Sequence, residues 1–524
     1  MRADRERYDA VVVGGGHNGL VSAAYLARAG LSVLVLERLG EVGGGAVSQQ
    51  VFAGQPARLS RYASLVCPMP DRIVEDLGLD VRLEDRPTSS YTPYVRDGEH
   101  RGLLVERIEG EATRASFAAL TGGGEEYAAW RAFAADAATL QTAVAPTLTG
   151  PLPTEAAVRD QVSAEVWRDL VATPLGTTLR NRFADDLVRG LVATGGLVGC
   201  FASLDDPSLV PNRAFLHHLV GSGTGERRVP VGGMGRVTDE LRRVAAAAGA
   251  EILTGAGVSG IRAGHDAAEV TWHDGTEAYT VGCRHVLAGV APWVLSVLLG
   301  GPDDATTRPV GSQVQLTMLL ERLPRLKSGV DPAAAFGGSF HVAQSFPELM
   351  SAYDVAAGGR LPEPPPGTIS CPSLTDPTVL GDLAGTGAHT LTYAGILAPA
   401  TLFAEQPSAA KAHVISRAVA ALDEHLAEPL ASCLARDAHG QLCLEALIPQ
   451  DLEAQLAMPG GHIYHGDPDW PWAPTRARLE TPAQQWGVQT DLDAVLLCGA
   501  GARRGGGISG IPGHNAAQAV LALR

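Results

Sequence analysis

The groups in this chain with the clearest chemistry are a carboxylate and a pair of histidines, each set beside glycines. Glu37 closes an apolar run, Leu31 to Leu36, which follows Gly14-Gly15-Gly16-His17-Asn18-Gly19 and a helix-like stretch from Leu20 to Ala29 that ends at Gly30. That order suits a dinucleotide. Gly14 permits the tight turn, Gly16 lets the backbone approach a pyrophosphate, and Gly19 lets helix and strand pack closely. The helix N-terminus, with His17 and Asn18, then faces the phosphates. Glu37 can accept both ribose hydroxyls of an adenosine, and its charge disfavours a 2′-phosphate. Far along the chain, Gly461-His462-Ile463-Tyr464-His465-Gly466 sets His462, Tyr464 and His465 shortly before the last strand-like run. A histidine there could act as general base for a proton lost in a desaturation; hydrogen-bonded scaffold is the competing reading.

The elements around these groups decide what the glycines mean. Tyr8 to Val13 is a buried strand in character and feeds the first loop. The same spelling recurs at Gly255 to Gly260 and Gly505 to Gly510. The middle copy follows a strand but precedes no helix, so it reads as a turn; the last has no acid after it. Glu37-Arg38 is followed by a second glycine turn, Gly43-Gly44-Gly45-Ala46. NAD needs nothing there, whereas FAD continues toward its ribityl chain, so Arg38, Gly44, Gly45 and Ala46 are expected beside FAD. At the other end, Ala494 to Gly499 leads through Gly505-Gly506-Gly507-Ile508-Ser509-Gly510 into a final helix with Pro512 in its first turn. The positive end of that helix could face the flavin pyrimidine, with Gly499, Gly507, Ile508 and Ile511 around it, which would favour hydride transfer from carbon.

These motifs resemble the large flavoprotein superfamily of amine oxidases and phytoene desaturases. Val229 to Gly235 followed by Ala250 to Leu253 looks like that family's return into the FAD domain, where the backbone near Val258 would flank the adenine. His285 to Pro292 looks like its next strand and turn. Cys498-Gly499-Ala500-Gly501 through Gly506 to Gly513 resembles the flavin motif of phytoene desaturases and, more closely, of desaturase-like beta-carotene ketolases. The subgroup containing pyridine nucleotide-disulfide oxidoreductase domain-containing protein 2 is also similar, as Gly16 to Leu20 and Gly461 to Gly466 suggest. The resemblance implies an α/β fold: a discontinuous Rossmann-type FAD-binding domain with an inserted α+β substrate domain. The expected pieces are 1–85, 225–299 and 491–524 for FAD, with 86–224 and 300–490 for substrate.

At 524 residues the chain can hold two intertwined domains, and its net charge of −16 argues against nucleic acid and anionic lipid as electrostatic partners. Seven cysteines without metal-like or redox-dithiol spacing suggest a reducing compartment. A first strand at Tyr8 leaves no room for a targeting peptide, so a cytoplasmic location is expected. Leu187 to Leu204, broken by Arg189 and four glycines, reads as a packed helix and turn; a wall of an apolar substrate tunnel or a membrane-facing lip is the alternative. Gly124 to Val144 and Ala409 to Leu430 read as helices, Val314 to Leu320 and Thr390 to Ile396 as strands. Pro362-Glu363-Pro364-Pro365-Pro366 reads as a stiff surface loop.

The expected activity is an FAD-dependent oxidoreductase that takes hydride from a C–H bond of an apolar polyene or isoprenoid. The alternatives are an amine or amino-acid oxidase of the same fold, and a flavin-bearing protein whose role is regulation or partner binding. Lys327 and Lys411 are the only lysines, which leaves little room for the flavin-facing lysine of many amine oxidases. Arg58 and Arg61 follow the second glycine turn and either touch FAD or substrate or form an ion pair. Arg503-Arg504 replaces a His-Pro or Arg-Pro type pair of relatives: a polar or anionic substrate, or solvated surface. No second nucleotide domain appears, so oxygen or a quinone is the expected acceptor. No metal is expected. An apolar substrate drawn from a bilayer would bring peripheral membrane contact.

Overall fold

The computed structural model describes residues 3–63, 69–221 and 227–524. The expected boundary between 224 and 225 therefore lies outside the described residues, as does Cys67. Two seven-stranded sheets organise the rest. The first runs Gly257–Ala263, Ala268–His273, Ala278–Ala288, Arg7–Val13, Val33–Glu37, Glu251–Thr254. Its seventh strand, Val495–Leu497, lies parallel to the second half of Ala278–Ala288. The strands Arg7–Val13 and Val33–Glu37 are apolar on both faces: Val12 and Val35 pack among the helices, while Val11, Val13, Leu34 and Leu36 pack with Ile261, Val270 and Trp272 of the antiparallel strands. Val13 is level with Ala288 on one side and with Leu36 on the other, and Ala288 with Leu497. The carboxyl ends of four parallel strands therefore finish along one edge, where open α/β sheets bind ligands.

One helical layer gives that edge its rigidity. His17–Arg28 starts directly at the glycine loop, earlier than Leu20, and every residue of it except Arg28 is buried. It lies against Met234–Ala247 and the final helix Ile511–Leu521. Small residues make the second contact close: a Cβ on Gly513 would stand 2.1 Å from Asn18 O, and Ser22 Oγ donates to Gly513 O at 2.9 Å.

The second sheet runs Leu444–Leu447, Val314–Leu320, His389–Gly395, Gly367–Ser370, Ser339–Val342, Thr88–Arg96, Glu99–Glu106. Its neighbours are antiparallel except for Ser339–Val342 beside Thr88–Arg96. The helix Pro407–Asp423 covers it but stops before the expected Leu430, since the Asp423 carboxylate accepts from Leu430 N at 2.7 Å and Pro429 cannot continue the helix. The remaining helices include Glu125–Val144, Leu175–Arg182, which ends at Phe183, and Val210–Val220, joined through Phe133, Phe183 and Phe215. Leu187 to Leu204 is a packed helix and turn: a Cβ on Gly190 would stand 1.8 Å from Gln344 O. The proline run is a surface loop only at Glu363 and Pro364, which are exposed. Pro362, Pro365 and Pro366 are buried, and Pro365 O accepts from Tyr393 Oη at 2.6 Å. No described helix is long and apolar enough to cross a membrane.

Candidate active site

Three glycine turns meet at the edge where the parallel strands end. Gly14 leaves the first strand at φ 101°, a conformation that L side chains rarely adopt, and donates to Leu36 O at 2.9 Å. Gly289 donates to Val13 O at 2.8 Å, and Cys498 to Ala288 O at 2.9 Å. A Cβ on Gly499 would stand 2.6 Å from Gly289 O, so this side of the floor is bare backbone. Glu37 is buried at the tip of its strand, its Oε2 accepting from Gly15 N at 2.7 Å and its Oε1 from Leu39 N at 2.8 Å. The carboxylate thus pins the loop and keeps lone pairs for further donors.

The second glycine turn lies over the first. Gly43 donates to Gly15 O at 2.9 Å, and a Cβ on Gly44 would stand 3.3 Å from Gly16 Cα. Ala46 is buried and its carbonyl accepts from Thr238 Oγ1 at 2.8 Å. Arg38 donates to Gln455 O at 2.7 Å. Arg58 is exposed and donates to Ser48 O at 2.7 Å, while Arg61 pairs with Glu445, Nε to Oε2, at 3.0 Å. Gly255 and Ala256 donate to Leu39 O and Glu37 O, each at 2.8 Å, which brings the strand carrying Val258 up to the acid. The middle glycine copy is a turn, with Gly255 at φ 66°, running straight into that strand.

The glycines divide into two kinds, and the division tests the fit of a dinucleotide. Gly19 is demanded by the fold, since a Cβ there would stand 2.2 Å from Gly14 O. Gly16 is not: it sits at φ −67°, and a Cβ would meet no heavy atom within 4 Å. Open space also fronts Gly45, with only Met458 Cε at 4.0 Å. Asn18, at the head of the helix, has a buried side-chain oxygen without a partner. Bare glycine, free space and the N–H groups of a helix N-terminus fit a pyrophosphate; the Asn18 oxygen, an acceptor, is not part of that fit.

The last glycine loop completes the floor. His17 Nε2 donates to Gly507 O at 3.1 Å, and burial pushes this imidazole down to about 4, so it is neutral at pH 7. Ile508 packs on Ala46 and Met234, Ile511 is buried, and Pro512 occupies the first turn of the final helix. Beside Gly506 opens a cavity of about 280 Å³, walled by Tyr464, His465, His217, Leu216 and Val220 among others. Burial pushes His217 and His465 down to about 4. Tyr464 Oη accepts from His218 Nε2 at 2.8 Å, and the His217 ring meets Tyr464 edge-on at 5.0 Å. His462 stands behind this wall, accepting from Tyr464 N at 3.3 Å, with its Nε2 3.7 Å from Asp467 Oδ1.

Tyr464 and His465 therefore reach the cavity and His462 does not. Arg503 borders it, tied to Asp469 Oδ2 at 3.3 Å and to the Trp472 carbonyl. Arg504 turns inward and donates to the carbonyls of Thr147, Gly150 and Trp486, a role that the sequence reading of a substrate-facing or solvated cation did not contain. His217 and His218 were also missed. They lie on Val210–Val220, and only an adjacent His-His pair in an otherwise apolar helix marked them. Lys327 is exposed and donates to Glu424 O at 2.8 Å, and Lys411 pairs with Asp451 at 2.8 Å. Neither borders the cavity. Among the described residues the cysteines are free and buried, and no cluster could hold a metal.

Comparison with known proteins agrees with this geometry. An uncharacterized protein of Mycobacterium tuberculosis is 46% identical over 99% of this chain and 98% of its own length. The mouse pyridine nucleotide-disulfide oxidoreductase domain-containing protein 2 is 28% identical over 99% of this chain and 94% of its own. Among solved structures, cyclohexylamine oxidase from Brevibacterium oxydans superposes with a TM-score of 0.56 at 15% identity, over 98% of each chain, which establishes the fold. The profile of flavin containing amine oxidoreductases matches residues 19–316. With that match over more than half of its length, the chain belongs to the flavin containing amine oxidoreductase family, and its cofactor is FAD.

Proposed function

We propose that the protein takes a hydride from a C–H bond of an apolar, phytoene-like or carotenoid-like substrate. The observation that carries this reading is the cavity beside Gly506, whose wall joins apolar side chains to neutral imidazoles. Of the two carboxylates on its border, Asp469 is paired with Arg503 at 3.3 Å, and Asp467 lies 3.7 Å from His462 Nε2. An alkylammonium entering there would stand near three arginines, Arg213, Arg503 and Arg504.

Bound FAD supplies the two-electron acceptor for the hydride. Gly14, Gly16, His17, Asn18 and Gly19 would hold its pyrophosphate. Glu37, with Arg38 and the Val258 backbone, would hold the adenosine. Gly44, Gly45, Ala46, Arg58, Gly499, Gly507, Ile508 and Ile511 would line the remainder. Loss of hydride leaves carbon electron-poor, and the neighbouring proton becomes acidic enough for a weak base. His465 or His217, held neutral by burial beforehand, would accept that proton and become imidazolium, later passing it to solvent. Tyr464 would orient the ring wall. The electrons would pass on to oxygen or a quinone.

An amine or amino-acid oxidase is the competing reading, favoured by the fold shared with cyclohexylamine oxidase. The anaerobic visible spectrum separates the two. Bleaching of the flavin band by a carotenoid in micelles, with no response to primary amines, is the expected result. Bleaching by amines alone would overturn the proposal. No bleaching by any small substrate, with a stable protein partner, would favour a regulatory role.

A further inference from the structure

Beyond the cavity wall lies a basic cluster that has no ion-paired carboxylate among the described residues. Arg86 follows the short ribbon in which Leu83–Glu84 pairs with Val229–Pro230, and Arg227 precedes the other strand of that ribbon. Arg86 Nε donates to Arg227 O at 3.3 Å, and its Nη1 donates to Ser339 Oγ on the second sheet at 3.2 Å. Arg227 Nη2 donates to His218 Nδ1, which fixes the tautomer whose Nε2–H donates to Tyr464 Oη. A chain of hydrogen bonds thus links the two guanidiniums to the cavity wall.

Among the described residues neither guanidinium is ion-paired. The neighbouring carboxylate, Asp85, is held by Arg228 at 2.6 Å and Arg107 at 3.4 Å. The consequence is visible in the groups nearby. Burial and the charge of Arg227 push Arg86 down to about 10. Burial together with Arg227 holds His217 near 4 and His218 well below the usual imidazole range, and burial with Arg86 and then Arg227 holds His341 near 4. The histidines therefore add no charge, but they supply no negative charge either. Half-buried like charges without a partner are costly and are kept where a ligand completes them. Arg86 retains its Nη2 hydrogens, and Arg227 retains most of its fork, which suits an oxyanion.

We propose that Arg86 and Arg227 form a subsite for an oxyanion, a carboxylate or a phosphate, at one end of an otherwise apolar substrate. The anion neutralises the pair, and the hydrogen-bond chain through His218 and Tyr464 couples it to the cavity beside the Gly506 turn. This inference rests on the proposed function only in taking the cavity as the substrate's place.

The test uses the FAD-loaded protein, with binding of decanoate, decyl phosphate and decanol followed by the change in flavin fluorescence. At least one anion is expected to bind about tenfold or more tightly than decanol. Which anion does so tells a carboxylate site from a phosphate site. R86Q should abolish that preference with FAD content unchanged, and R86K should restore part of it. Without ligand, R86Q should melt no lower than the parent, because it relieves repulsion, whereas a purely structural arginine would lower Tm. Equal binding of anions and decanol by the parent protein, or a preference that survives R86Q, would overturn the proposal. Should R86Q fail to fold or lose FAD, R227Q carries the same reading. Binding is read without turnover, so tight decanoate binding by a protein that no polyene reduces would retain the subsite and discard the hydride proposal.

Discussion

Gly16→Ala isolates what the cofactor demands from what the fold demands. The residue sits at φ −67° and ψ 170°, which alanine adopts freely, and a Cβ there meets nothing within 4 Å. The apoprotein should therefore keep its stability or gain about 0.4–1 kcal/mol through a less disordered unfolded chain. The new methyl projects into the open space that the proposed pyrophosphate would take. Overpacking of that kind costs about 1–3 kcal/mol, which is roughly a 5- to 140-fold rise in Kd at about 1.4 kcal/mol per tenfold. Gly19→Ala provides the contrast, since its Cβ would stand 2.2 Å from Gly14 O and should damage folding and FAD binding together. The assay is titration of the apoprotein with FAD by flavin fluorescence, beside urea unfolding of the same preparation. A Gly16→Ala apoprotein destabilised by more than about 1 kcal/mol, or one that binds FAD as tightly as the parent, would refute the reasoning.

Two further outcomes follow from buried charge. His17, His217, His341 and His465 are pushed down to about 4 from an ordinary value of 6.5, so between these values the unfolded chain binds more protons than the folded one. Their contribution is complete above about pH 6.5 and is lost as the pH falls toward 4. Glu240 and Glu428, held at about 2 chiefly by Arg243 and Arg322, lose theirs in a lower window, below 4.5. Unfolding free energy should rise with pH between 4 and 6.5, with net proton uptake on unfolding by calorimetry; a flat profile would contradict it. Arg504→Met strips donors from the carbonyls of Thr147, Gly150 and Trp486 and should cost about 3 kcal/mol. Arg503→Met, whose partner Asp469 is 60% exposed, should cost less than about 1 kcal/mol by chemical denaturation. Equal losses would refute the distinction.

The first strand–loop–helix–strand unit was legible in the sequence because its signals are local. Gly14, Gly16, Gly19 and Glu37 declare themselves by spacing within one strand–helix–strand unit, and the structure joins them as that spacing implies. The cavity wall was only half legible. Tyr464 and His465 stood in a marked motif, yet His217 and His218 come from a helix almost 250 residues away and carry no spacing signal. Arg503 and Arg504 were visible as a pair but not as two roles. Which of them turns inward is decided by the carbonyls of Thr147 and Gly150, far away in the chain. The end of the helix Pro407–Asp423 was missed because a side-chain hydrogen bond seven residues long, from Leu430 to Asp423, competes with alanine-rich helix propensity.

The bond from His17 to the Gly507 carbonyl spans 490 residues, and Ser22 to Gly513 spans 491. During synthesis at 5–20 residues per second, the first loop must wait about 25 to 100 s for its counterpart. The two loops therefore meet only after residues 507–513 have been made, and His17–Arg28 waits as long for one of its two covering helices.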